Sequence, residues 1–144
     1  MTTQVTAGPV YSLHPQLAQD TLPVLDLTLC SVRLSNDAGY PWLVLVPRVP
    51  EARELIDLDD AGQLALVREI AQASRVLRHC FAPHKLNVAA LGNMVPQLHV
   101  HVIARYTHDA AWPAPVWGRA PAQAYAPGAQ QARAAQLRDA FTRT

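Results

Sequence analysis

Two histidines one residue apart, His99 and His101, lie inside the run Gln97-Leu98-His99-Val100-His101-Val102-Ile103. An imidazole near neutral pH can attack an electrophile, move a proton or bind a metal, so a positioned pair is a chemical signal. Successive side chains of a strand point to opposite faces. Gln97, His99, His101 and Ile103 therefore share one face, and Leu98, Val100, Val102 and Ala104 share the other. The pattern predicts a row of three polar groups over a buried apolar backing. Upstream lie Asn87 on the preceding strand and Gly92-Asn93-Met94 in the connecting turn. A glycine-containing turn can direct successive backbone N–H groups inward as an anion-binding nest. Two imidazoles, two amides and such a nest point to a phosphate.

Other common chemistries lack their residues. GxGxxG, GxxxxGK[ST], GxSxG, HExxH and CxxC are all absent. A His-x-His pair can hold zinc, but it needs a third ligand from His14, His79, His84 or His108, none at a diagnostic spacing. Neither a metal nor a cofactor is expected, although a metal-binding module stays open as a third reading. His79 and His84 flank the helix end at Pro83, where a cationic imidazole suits the dipole.

Those side chains need a scaffold, and the composition supplies one. The chain has 144 residues, half of them hydrophobic and 16% charged, which is a globular balance that implies a single domain over 1–144. Twelve basic minus eleven acidic residues leave +1, which gives no general attraction to nucleic acid or anionic lipid. Arg33, Arg48, Arg53, Arg75 and Arg78 read as a scattered, solvated set. The longest apolar runs, such as Trp42 to Pro47, are far short of the roughly 20 residues a bilayer span needs, and Met1 to Val10 has no apolar signal core. No membrane partner is expected. Cys30 and Cys80 read as reduced core thiols of a cytoplasmic protein.

Along the chain, residues 1 to 10 read as a loose lead-in. Val24 to Leu34 and Trp42 to Val46, joined by Ser35-Asn36-Asp37-Ala38-Gly39, read as an antiparallel hairpin. Asp57, Asp59 and Asp60 precede a long helix whose stripe is Leu64, Val67, Ile70 or Ala71, Ser74, Leu77 and Phe81. Lys85 to Leu91 and Leu98 to Arg105 read as two more strands, with a tight connection from Gly92 to Pro96. Asp109 to Gly128, rich in proline and holding Trp112 and Trp117, reads as an ordered arm anchored by its aromatics, and Gln130 to Arg143 as a closing helix. The order argues an α+β fold with an antiparallel sheet, one long helix, and a C-terminal arm and helix.

At these residues the sequence resembles the histidine triad (HIT) superfamily, whose pattern is His-φ-His-φ-His-φ-φ with φ apolar. Trp42 to Arg48 is similar to that family's strand ending in proline and a basic residue. Asn87 precedes the motif at about the family's spacing, and Trp112-Pro113 resembles the aromatic tail of one branch. The resemblance covers most of Val24 to Gly118, with Gln97 in place of the first histidine and Pro50 where many relatives carry another. In those relatives the two histidines form a relay behind the nucleophile. The resemblance implies a HIT-like fold and a nucleotide hydrolase or transferase. In that reading His99 attacks an α-phosphate and His101 donates to a phosphate oxygen or to the leaving group. Asn87, Asn93 and the amides of Gly92 to Met94 grip the phosphoryl oxygens, and Gln97 orients without titrating. It also implies Leu29, Val32 and Leu34 as a nucleoside wall, Asn36 or Asp37 near the ribose, and a homodimer into which Trp112 or Trp117 crosses. A nucleotide-binding module with little turnover is the alternative.

Overall fold

The computed structural model of the chain describes residues 8–144, so most of the expected loose lead-in lies outside the described residues. Five strands form one antiparallel sheet: β1 (Thr21–Asp26), β2 (Cys30–Ser35), β3 (Trp42–Pro47), β4 (Lys85–Ala89) and β5 (Val100–Arg105). Their order is β1-β2-β3-β5-β4, which places β5 inside the sheet and β4 at an edge. A short helix, α1 (Pro15–Asp20), leads into β1; α2 (Asp60–Phe81) links β3 to β4, and α3 (Ala129–Thr142) closes the chain. An α+β fold with an antiparallel sheet is what the sequence pattern led us to expect.

Four details differ from the sequence reading. Val24 to Leu34 is two strands, because the chain turns at residues 27–29 and pairs Asp26 with Ser31. Helix α1 was not foreseen; Pro15 occupies its first turn and the His14 ring accepts a hydrogen bond from the Gln16 N–H at 3.0 Å. The buried side of α2 is Leu66, Glu69, Ala73, Val76 and Leu77, whereas Leu64 and Val67 are exposed. The stripe is displaced because Glu69 faces the sheet, where its carboxylate accepts from the Leu29 and Cys30 N–H groups at 2.9 and 2.8 Å. A carboxylate satisfied by backbone donors sits among apolar residues without violating burial rules, and hydrophobic periodicity cannot detect it. Arg33, expected to be solvated, is buried and donates to Thr21 Oγ1 at 2.6 Å.

The principal core lies between the sheet and helices α2 and α3. It gathers Val32, Leu34, Leu43, Leu45, Val100 and Val102 from the strands with Leu66, Leu77, Leu137 and Phe141 from the helices. Leu29, Val32 and Leu34 therefore belong to this core or pack on it rather than forming a ligand wall. Cys30 is buried here too, and burial followed by the nearby Glu69 carboxylate pushes its thiol pKa far up, which leaves it inert. The opposite sheet face carries Trp42, Val44 and Val46 of β3 and the His101, Ile103 and Arg105 side of β5. The helices thus cover one face and leave the other to the histidines.

Candidate active site

His101 from the start of β5 and His99 from the residue just before that strand project onto the face away from the helices, and both are buried. Their rings lie 4.9 Å apart, centroid to centroid, at 75°. The Nδ1 of His99 is 2.6 Å from the backbone oxygen of Gln97. A carbonyl can only accept, so Nδ1 carries the proton and the neutral ring keeps its lone pair on Nε2. The other histidine has the opposite arrangement. Trp42 Nε1 donates to His101 Nδ1 at 3.0 Å, so the neutral ring carries its proton on Nε2. Burial, reinforced by the neighbouring His99, lowers the His101 pKa from 6.5 to about 4. The pair therefore offers one nucleophilic nitrogen beside one N–H donor.

Both rings open into a cavity of about 520 Å³. Gly92, Asn93, Met94 and Val95 form part of its rim, Leu17, Val44, Leu91 and Trp117 its apolar walls, and Asn36 and Asp37 a polar corner. Gly92 adopts φ +74°, a conformation that favours glycine and bends the turn around the opening. Among the described residues, the N–H groups of Gly92, Asn93 and Met94 have no hydrogen-bond partner. The Met94 side chain is almost fully exposed, so its backbone rather than its thioether faces any ligand role. Asp37 Oδ1 accepts from the N–H groups of Gly39 and Gln123 at 2.8 and 3.1 Å, which fixes this corner.

Two residues expected beside the histidines lie elsewhere. Asn87 shares their sheet face, but its Oδ1 accepts from Arg105 Nη1 at 2.7 Å, and the residue does not line the cavity. Gln97 bonds outward with both ends of its carboxamide: Oε1 accepts from the His14 N–H and Nε2 donates to the Ser12 oxygen, each at 2.8 Å. It ties the segment before α1 to β5 and reaches the site only through its backbone carbonyl. Trp117, expected to cross to a partner or to anchor the arm, packs edge-on against Trp42 and His101 of its own chain at 5.7 and 5.0 Å. Trp112 instead meets His84 and the Arg105 guanidinium. The sequence reading missed Trp42 as a site residue. Its signal was present: on β3 it sits diagonally across from His101, whose direct partner is Val44.

A family model described as the HIT domain matches residues 16–108. The chain belongs to the HIT family. Solved HIT relatives agree over almost the whole fold. A histidine triad protein from Bradyrhizobium japonicum is 50% identical, covers 92% of this chain and 99% of its own, and superposes with a TM-score of 0.89. One from Marinobacter aquaeolei is 43% identical with the same TM-score, over 93% of this chain and 98% of that one. A curated relative, the AP-4-A phosphorylase of Mycobacterium tuberculosis, is 36% identical over 83 residues. The match covers 49% of this chain and 41% of the relative, so it spans less than half of that protein. Among the described residues of this HIT protein, no helix is long and apolar enough to cross a membrane, and no three His, Cys, Asp or Glu side chains cluster as metal ligands would.

Proposed function

We propose that this HIT protein is a nucleotide hydrolase or nucleotidyl transferase with His99 as its nucleophile. The observation that carries this reading is the 2.6 Å contact of His99 Nδ1 with the Gln97 carbonyl, which leaves Nε2 as the free nitrogen at the cavity. Nε2 attacks the α-phosphorus, the new N–P bond forms as the P–O bond to the leaving group breaks, and that oxygen departs with the electron pair. Water or another acceptor then attacks phosphorus, the N–P electrons return to Nε2, and the acceptor's proton passes to solvent. The proton stays on Nδ1, donated to the Gln97 carbonyl, whose oxygen stabilises the positive charge of the nucleotidyl-imidazole. His101 Nε2–H and the N–H groups of Gly92 to Met94 meet the phosphoryl oxygens, with Asn93 beside them.

The preferred substrates are phosphoanhydrides, such as dinucleoside polyphosphates, over alkyl phosphoramidates. An alkylamine must be protonated to leave, and neither neighbour supplies that proton readily: Gln97 does not titrate, and His101 is held neutral with a pKa near 4. The AP-4-A in the name of the Mycobacterium tuberculosis relative supports the same class. No Lys or Arg lines the cavity, which favours a small nucleotide over nucleic acid. The setting proposed is a reducing cytoplasm that leaves Cys30 and Cys80 as thiols. The acting unit is a homodimer, joined through the β4 edge and the exposed Leu64, Val67, Val88 and Leu91. A gel-filtration mass near 15.7 kDa would argue against that dimer.

Rapid-quench mass spectrometry with diadenosine tetraphosphate tests the chemistry. An adenylyl adduct on His99 is expected, with turnover exceeding that of an adenosine alkyl phosphoramidate. Faster phosphoramidate turnover would reverse the substrate preference. Nucleotide binding with neither adduct nor turnover would leave a binding module, a reading favoured by Gln97 being bonded to Ser12 and His14 where a proton relay would run.

A further inference from the structure

We propose that Trp42 is a positioning residue that fixes His101 as the Nε2–H tautomer and so confines it to donating a hydrogen bond to the transferred phosphoryl group. This rests on the function proposed above. The geometry comes from three elements. Trp42 on β3 delivers its indole N–H to His101 Nδ1 at 3.0 Å, and the two rings meet at 65° with centroids 5.6 Å apart. Trp117 of the arm packs edge-on against both rings, and His101 beneath it is buried. Tyr40, at 6.3 Å and 74°, also packs edge-on against Trp42. An imidazole whose Nδ1 accepts from a donor that can never lose its proton has one neutral form available, with the remaining proton on Nε2.

This arrangement separates two roles an imidazole can combine. A histidine backed by a carboxylate gains basicity and can carry a proton through a reaction. A histidine backed by an indole N–H loses basicity, because protonation would set two N–H groups against each other. The charged and titratable surroundings act in the same sense or not at all. His99, one residue before the strand and 4.9 Å away, disfavours a charge on His101. The strand opposite presents Trp42 and Val44, the arm Trp117, and the acids Asp20 and Asp37 belong to other walls of the cavity. His101 therefore serves as a fixed dipole aimed at phosphate oxygen across the working pH range, and the substrate must bring a leaving group that departs as an anion.

The test reads the tautomer directly and needs no substrate. Long-range 1H–15N spectra of the full chain between pH 5 and 8 should show His101 with a bare Nδ1 and a protonated Nε2 throughout. A protonated Nδ1, or an imidazolium at pH 6, would overturn the proposal, and this measurement stands even if substitutions fail to fold. In Trp42→Phe the ring packing persists while the donor is lost. The spectra should then become a tautomer mixture with a raised protonation midpoint, kcat should fall about fivefold, and the pH profile should gain a new limb above pH 5. Trp117→Phe keeps the Trp42 donor and should preserve the tautomer. An unchanged tautomer and an unchanged pH profile in Trp42→Phe would refute the assignment. The expected tautomer together with an absence of any nucleotide turnover would instead refute the proposed chemistry and leave the Trp42–His101 pairing standing.

Discussion

Strand β5 carries buried polar side chains at both ends of one face, and the two ends are built to opposite purposes. At the far end Arg105, 1% exposed, spends all three guanidinium nitrogens on the protein. It donates to Asp109 from Nε and Nη2 at 2.8 and 3.0 Å, to Asn87 from Nη1 at 2.7 Å and to the Ala114 carbonyl at 2.8 Å. The rings of Tyr40 and Trp112 lie over it. At the near end His99 and His101 each spend one ring nitrogen on the protein and keep the other for the cavity. Burial and polarity are shared by both ends; unspent hydrogen-bonding capacity belongs to the histidines. That difference separates a group that holds the fold from one that can hold a ligand.

The largest expected contrast is between His99→Ala and Arg105→Ala. The first should lower turnover by more than about 10³-fold while nucleotide affinity, read by calorimetry, and the unfolding midpoint change little. The second should cost about 3–5 kcal/mol of stability in denaturant unfolding, because it strands the Asp109 carboxylate in a buried site. If His99→Ala unfolded the protein and Arg105→Ala did not, the division of labour along β5 would be wrong. Acid should reach the two ends differently. Burial alone would raise the Asp109 pKa, but the Arg105 hydrogen bond and the N–H groups of Tyr106 and Trp112 outweigh it and hold the value at about 2. A depressed carboxylate pKa stabilises the fold above its unfolded value and loses that contribution as pH falls through the folded value. Stability should therefore decline between about pH 4 and pH 2 in the native chain, and Asp109→Asn should flatten that decline. Smallest of all, Gly92→Ala should cost about 1 kcal/mol for its left-handed backbone. Its Cβ would meet only the Val95 oxygen, at 3.6 Å. A rise in nucleotide KM with kcat retained would place the turn on the binding side of the comparison; an unchanged KM would remove it.

The near end of β5 was more legible in the sequence than the far end. Alternation alone put His99 and His101 on one face, and a glycine in the preceding turn marked the rim of a cavity. Asn87 misled because sequence shows which face a residue takes but not who claims its hydrogen bonds, and Arg105, eighteen positions away, claimed this one. Gln97 misled likewise, since its two partners are backbone groups of the segment before α1, which carries no periodic signal. The stripe of α2 was drawn through Leu64 and Val67 because they are apolar, while the charged Glu69 proved to face the sheet. In each case the missing information was a long-range polar contact, and local pattern contains none.

The indole that roofs the site, Trp117, belongs to the same polypeptide as the strand beneath it. The contact between arm and strand is thus made within one copy and needs no second one. Dilution that separates the proposed dimer should therefore leave the indole's fluorescence unchanged while output per molecule falls, because Leu91 belongs both to the cavity wall and to the exposed seam.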